Sequence, residues 1–290
     1  MHIATRAGLI LRRKGFIKAA MSEELENIEN AEKIPNVLAC DCGNSTIALG
    51  WVHSETVCDA QTFALDAPAE LGQALSKLWA KMPQPRCVAA ASVNPSATKA
   101  LQASVKQATG QGVLVVGLDL PLPIEVSPAL ANPERIGTDR LCCAVAAFDK
   151  LGSACVVADF GSAATIDCVN DEGVFMGGAI LPGLAIAAEA LGEKTAQLPR
   201  VELAQPDGVF GTDTAGAIRL GLIRGMRGSL RELTEAYATE LGTWPAVIIT
   251  GGEAKLICPN PGQNGLVQAL VEDLCLRGVA MAYYKSLLQE

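Results

Sequence analysis

The chain has 290 residues, room for two domains of ordinary size with a core each. Half of its residues are apolar, 19% are charged and the mean hydropathy is +0.28, the profile of a compact protein with buried α/β layers. A net charge of −8 argues against duplex nucleic acid as the principal partner, because phosphate neutralisation needs a basic surface.

Residues 1–35 stand outside the periodic pattern of the rest. Arg6, Arg12, Arg13, Lys14 and Lys18 form a basic stretch, and Glu23, Glu24 and Glu26 an acidic one. The apolar run at 7–11 is too short for a signal-peptide core or a membrane span, so neither membrane insertion nor export is expected. This segment reads as a flexible N-terminal extension, with Met21 as a second candidate start.

From residue 37 the elements alternate. A strand at 37–40, a turn and a strand at 47–52 are followed by a helix at 69–81, whose Leu71, Leu75 and Leu78 recur at helical spacing. A strand at 88–91, a helix at 96–107 and a strand at 113–116 come next. A Pro-rich link at 121–132 leads to an apolar helix at 140–150. The second half repeats the theme with strands at 154–158, 165–169 and 174–176, the last two joined by a turn at 170–173. Helices follow at 185–191, 213–224 and 228–241, then a buried strand at 247–250 and a closing helix at 264–286. The expected division is an extension at 1–35, an N-terminal domain at 36–150 and a C-terminal domain at 151–290, packed with a cleft between them.

The chemistry sits at the ends of two strands. One apolar run stops at Asp41 and continues Cys42-Gly43-Asn44-Ser45-Thr46. Another stops at Asp159 and continues Phe160-Gly161-Ser162-Ala163-Ala164-Thr165, with the two aspartates 118 residues apart. A buried strand thus delivers a carboxylate to its open end, Gly allows a tight turn, and hydroxyls and amides face what binds there. A phosphate with its metal ion fits that description. Three further stretches carry chemical groups. Gly137-Thr138-Asp139-Arg140 sets a carboxylate beside a forked cation, although Asp in a first helical turn is also an ordinary dipole partner. Gly177-Gly178 to Gly183 reads as a Gly-rich apolar turn, and Gly211-Thr212-Asp213-Thr214 puts hydroxyls before a helix. Gly251-Gly252-Glu253 follows a strand in the manner of an adenosine-side loop.

The ten cysteines include no Cys-x-x-Cys and lie mostly in apolar runs, as small hydrophobes. They read as reduced thiols of a cytoplasmic protein. With only His2 and His53 in the chain, the expected proton acceptor is a carboxylate.

In this order the motifs resemble the type III pantothenate kinases, of the actin-like, sugar-kinase and Hsp70-like ATPase superfamily. The resemblance rests on Asp-x-Gly-Asn-Ser at 41–45, Ser-Val-x-Pro at 92–95, Gly-x-Asp-Arg at 137–140, Asp-Phe-Gly-Ser at 159–162, Gly-Gly-x-Ile-x-Pro-Gly at 177–183, Gly-x-x-Thr at 211–214 and Gly-Gly at 251–252. It implies an α/β fold of two ribonuclease-H-like domains with ATP in the cleft, and a homodimer whose interface helps form the pantothenate site. It further implies Asp139 as general base and Asp41 to Ala48 as the first phosphate loop, with residues 41–46 binding the nucleotide, Asp41 beside Mg²⁺, Asn44 and Ser45 on the phosphates, and Ser162 touching ATP. Gly137, Thr138, Asp139, Arg140 and Thr214 would then bind pantothenate, and Asp159 would hold a monovalent cation, K⁺ or NH₄⁺. Two side chains depart from the family pattern. Ala164 lacks a hydroxyl, expected to weaken a nucleotide or cation contact, and Leu130 replaces a Tyr expected to touch pantothenate. The alternatives are a weak or inactive nucleotide-binding regulator and a kinase for another small alcohol.

Overall fold

The computed structural model describes residues 34–263 and 265–288. The expected N-terminal extension lies almost wholly outside them. Contacts divide the chain into two compact units. Of the described residues, the first holds 34–153 together with Asp171–Phe175 and 273–288, and the second holds Ala154–Asn170 and those of Met176–Glu272.

The first unit is built on strands β1 (Asn36–Cys42), β2 (Thr46–His53), β3 (Thr56–Ala64), β4 (Arg86–Ser92) and β5 (Leu114–Val115), in the order β3-β2-β1-β4-β5. β1 pairs antiparallel with β2 and parallel with β4, so it is central, and Val37 through Cys40 are fully buried. Leu38, Cys40 and Cys42 share one face and pack with Leu75, Leu78 and Leu101 from helices α1 (Pro68–Lys81) and α2 (Pro95–Thr109). Both helices begin with Pro in the first turn, where its missing N–H costs nothing. Asn94 caps α2 by accepting from the Ser96 and Ala97 amides at 3.0 and 3.2 Å.

Helix α3 (Thr138–Leu151) belongs to the same unit, and its Leu141 through Ala147 are all buried. The last helix described, Leu274–Leu287, packs on α3 and β1. The approach is close: a Cβ at Gly278 would overlap the Cys142 backbone. A division at residue 150 would assign this helix to the second half. Its buried face, from Leu274 through Tyr284, completes the first unit instead.

The second unit repeats the arrangement. Strands β7 (Cys155–Phe160), β8 (Ala163–Val169), β9 (Val174–Pro182), β10 (Ala246–Thr250) and β11 (Val267–Leu270) run in the order β9-β8-β7-β10-β11. β7 pairs antiparallel with β8 and parallel with β10. This is the strand order of the first unit over again, the duplicated ribonuclease-H-like plan of the actin-like fold. β6 (Glu125–Val126) pairs with Val174 and Phe175 at the start of β9, the two residues of that strand that belong to the first unit. Helices α4 (Leu184–Lys194), α5 (Thr214–Leu241) and α6 (Ala254–Ile257) follow the sheet strands, and the final helix is α7. No described helix is long and apolar enough to cross a membrane.

Three sequence expectations are corrected, and one strand is added. The helices expected at 213–224 and 228–241 are one helix, α5, because Ile223, Met226, Leu230 and Thr234 form an unbroken buried ridge. The closing helix expected at 264–286 is β11 followed by α7, since Val267 pairs with Val247 on β10. β9 runs on through Gly177-Gly178, where a turn was expected: a Cβ at Gly178 would overlap Asp167 and Ile166 of β8. β3 carries no apolar alternation and was not anticipated.

Candidate active site

In the first unit, Asp41 stands at the carboxyl end of β1, opposite Ala48 on β2 and Ala91 on β4. It is half-buried, and its Oδ1 is shielded from solvent. The turn beyond it closes when Gly43 N donates to Thr46 O at 3.0 Å, which leaves Asn44, Ser45 and Thr46 exposed. Cys42 differs from its neighbours. Its side chain is in the core, and burial, with the adjacent Asp41 carboxylate, pushes its thiol up to about 12. Only the backbone of Cys42 can face a ligand.

The 137–140 motif is tied to the same strand ends. Thr138 Oγ1 accepts from Ser92 N at 3.0 Å and donates to Ser92 O at 3.2 Å, which fastens the start of α3 to the end of β4. The Thr138 hydroxyl is therefore committed to Ser92. Gly137 gives space to Asp139, since a Cβ there would overlap the Asp139 carboxylate. Asp139 Oδ1 accepts from Arg140 N at 2.7 Å. Burial raises the Asp139 pKa above the ordinary value, outweighing the opposing pull of the Arg140 amide and guanidinium. A carboxylate raised in this way is a stronger base than one in water. The Arg140 guanidinium lies 5.6 Å from the centre of the Phe175 ring, a cation–π contact that fixes its direction. A hydrogen bond with Cys275 lowers the pKa of the Cys142 thiol, but burial, with smaller contributions from the Cys143, Asp41 and Asp139 charges, raises it. The expected pantothenate neighbour Leu130 is half-buried in a turn closed by its amide on Ser127 O at 3.1 Å.

In the second unit Asp159 ends β7 between Thr165 on β8 and Thr250 on β10. Gly161 N donates to Ala163 O at 3.2 Å, the counterpart of the Gly43 turn, and Ser162 is exposed at its tip. Ala164 is fully buried in the apolar cluster with Phe160 and Ile166. Its missing hydroxyl would have pointed into the core, so the expected loss of a ligand contact does not follow from this position. Gly183 N donates to Ser162 O at 3.1 Å, and a Cβ at Gly183 would overlap the backbone of Gly161 and Ser162. Gly251, at φ +92°, closes over the Asp159 carboxylate, and a Cβ there would overlap both Asp159 Oδ1 and Phe160 O. Thr214 is exposed at the first position of α5, behind Asp213, whose Oδ1 accepts from Gly216 N at 2.6 Å.

Sequence reasoning missed three supporting groups. Ser92 holds Thr138, and Phe175 holds Arg140. Glu253, read only as part of a loop, caps α4: its two carboxylate oxygens accept from the Leu184 and Ala185 amides at 2.8 and 3.0 Å. The signal was an acidic residue two positions beyond Gly251, but its target lies 69 residues earlier in the chain. All ten cysteines are free thiols, as expected. Among the described residues no three His, Cys, Asp or Glu side chains gather as a metal-binding group. A hard cation that takes one carboxylate and completes its shell with phosphate and water suits Asp41 and Asp159 better than a protein-only cage would.

Residues 37–236 match the family model described as type III pantothenate kinase. The chain is similar to a type III pantothenate kinase of Geobacter sulfurreducens, 32% identical over 259 residues that cover 86% of this chain and 99% of that one. It is 33% identical to a type III pantothenate kinase of Geotalea uraniireducens, also over 259 residues, covering 86% and 98% of the two chains. Among solved structures it is similar to a protein described as a conserved Baf family transcriptional activator from Campylobacter jejuni. The TM-score there is 0.55 at 19% identity, over 87% of this chain and 99% of that one, a likeness of fold.

Proposed function

The chain belongs to the type III pantothenate kinase family, and from that premise we propose how its residues divide the work. The reaction is ATP-dependent phosphorylation of pantothenate to 4′-phosphopantothenate, the first step of coenzyme A biosynthesis. Transfer of the γ-phosphoryl group to an alcohol passes through a loose transition state, so positioning and charge stabilisation dominate.

Asp139 is the general base, orienting the primary hydroxyl of pantothenate and accepting its proton late. The observation that carries this reading is the buried, raised Asp139 carboxylate, given room by Gly137 and held beside Arg140. Arg140, braced on Phe175, takes the carboxylate of pantothenate. Thr138 serves the substrate site by placing this turn, since its hydroxyl is bonded to Ser92. Thr214 adds an exposed hydroxyl toward pantothenate. On the nucleotide side, the backbone and hydroxyls of residues 42–46 and Ser162 contact the phosphates of ATP. Asp41 would hold Mg²⁺, which supplies charge compensation on the phosphoryl oxygens when bound. Asp159, in the cradle under Gly251, would hold K⁺ or NH₄⁺. The working form is a homodimer in the cytoplasm, with neither nucleic acid nor membrane as a partner.

The test is coupled ADP release with ATP, Mg²⁺ and K⁺, with and without pantothenate. Pantothenate-dependent release by the wild type, lowered by about 10²–10⁴-fold in Asp139→Asn while ATP still binds, is the expected outcome. Unchanged turnover in Asp139→Asn would remove the base from this scheme.

A further inference from the structure

The second unit contains a cavity of about 560 Å³ that none of the residues assigned above lines. One wall is α5, which presents Arg224, Arg227 and Arg231 to it; Asn260 and Gln263 face it from the segment after α6, and Leu230 and Leu266 form its apolar floor. Among the described residues no carboxylate lines it.

The spacing of the arginines is what matters. Residues three, four and seven apart share a helix face, and like charges so placed destabilise a helix unless an anion answers them. The helical neighbours of Arg224 and Arg227 at three and four positions are each other, Arg231, or apolar and Gly residues, and only Arg231 has an acidic one, Glu235, four positions on. Arg227 is anchored: its guanidinium donates to Ile257 O, to Leu256 O at 3.2 Å and to Gln205 Oε1 at 3.4 Å. Arg224 and Arg231, on either side of it, make no hydrogen bond or ion pair among the described residues. Burial and the nearby Arg224 charge together lower the Arg227 pKa, so the guanidinium groups feel one another. Three like charges in an acidic protein, opening on a cavity with polar and apolar walls, are the complement of a small polyanion.

We propose that this cavity binds a phosphorylated small molecule carrying two or more negative charges. Arg224 and Arg231 grip its phosphate groups in forked hydrogen bonds, Asn260 and Gln263 meet its polar atoms, and its carbon body lies against Leu230 and Leu266. The site is additional to the catalytic residues and does not depend on their assignment.

Fructose 1,6-bisphosphate is a suitable probe, titrated calorimetrically into the full chain with Mg²⁺ and a saturating non-hydrolysable ATP analogue. Occupied nucleotide-binding residues cannot then account for the heat. One saturable site per chain is expected, weakened roughly tenfold or more in the Arg224→Gln/Arg231→Gln double variant, with KM for ATP and molecular mass unchanged. Asn260→Asp, which leaves both arginines in place, is expected to weaken the probe as well, and it decides the matter if the double variant does not fold. No binding to the wild type, or equal binding to the variants, overturns the proposal. So does a raised KM for ATP in the double variant, which would make the cavity part of the nucleotide site. A changed mass would assign the arginines to contact between copies and overturn it too.

Discussion

Gly251→Ala is the sharpest test of the second strand-end site. The residue sits at φ +92°, where an L side chain is strained, at a cost of about 1–2 kcal/mol. Its new Cβ would overlap Phe160 O, the carbonyl that accepts from Glu253 N at 2.9 Å, and losing that bond adds about 0.5–1.5 kcal/mol. The two effects come to about 1.5–3.5 kcal/mol, a fall in Tm of roughly 3–14 °C at about 2–4 °C per kcal/mol. The same Cβ presses on Asp159 Oδ1, so the K⁺ concentration for half-maximal activity should rise. Gly252→Ala is the control next door. A Cβ there has nothing within 4 Å, and its Tm should stay within about 2 °C of wild type. Differential scanning fluorimetry on the three proteins reads this directly. A Gly251→Ala protein that melts with the wild type, or a Gly252→Ala protein that melts as low, would refute the reasoning.

Asp139→Asn should lower kcat by about 10²–10⁴-fold, the usual contribution of a positioned base. Because burial raises the Asp139 pKa, activity should be full above that raised value and fade as pH falls through it, at a higher pH than for an exposed aspartate; a pH profile of kcat checks this. The same shift means the folded state holds the proton more tightly than the unfolded chain, so the ionised group costs stability once pH exceeds both values. Asp139→Asn should therefore melt no lower than wild type at pH 8, and a lower Tm would contradict the burial argument. Thr138→Val removes both bonds to Ser92 and should cost about 1–3 kcal/mol in denaturant unfolding, whereas Thr138→Ser should keep most of it. Activity should depend on K⁺ or NH₄⁺ through Asp159, and equal rates in Na⁺ alone would count against that assignment.

Much of the fold was legible because its strands are short apolar runs punctuated by Asp, Gly and Pro, and because the two strand-end loops repeat one another. What failed to show was decided by partners far away in sequence. Gly225 and Gly228 lie at the gap between the two expected helices, yet the buried ridge through Met226 and Leu230 outweighs a helix penalty of about 1 kcal/mol per Gly. β11 is too short to outweigh a helical reading until Val267 finds Val247. β3 is an exposed edge with a register shift and Asp59 at positive φ, so no alternation marked it. In the sites, the motif residues themselves could be read from their order. Their supports could not, because Ser92 reaches Thr138 across 46 residues and Glu253 reaches Leu184 across 69. Ala164 shows the converse: a departure in a motif that strand alternation turns inward, where it touches only the core.

The placement of α7 sets an order on synthesis. β1, β2 and β4 emerge from the ribosome early, but part of their cover is encoded by residues 274–287, after the whole of the second unit has been made. Residues 154–272 can therefore gather their own core while the first sheet still waits for its last helix, which inverts the usual N-terminal-first sequence. During that interval Val37, Ala39 and the buried face of α3 offer an apolar surface to whatever is near, chaperones included. A nonsense change that spared every residue of both strand-end loops but ended the chain before Leu274 would leave the earliest strands as the part that never closes.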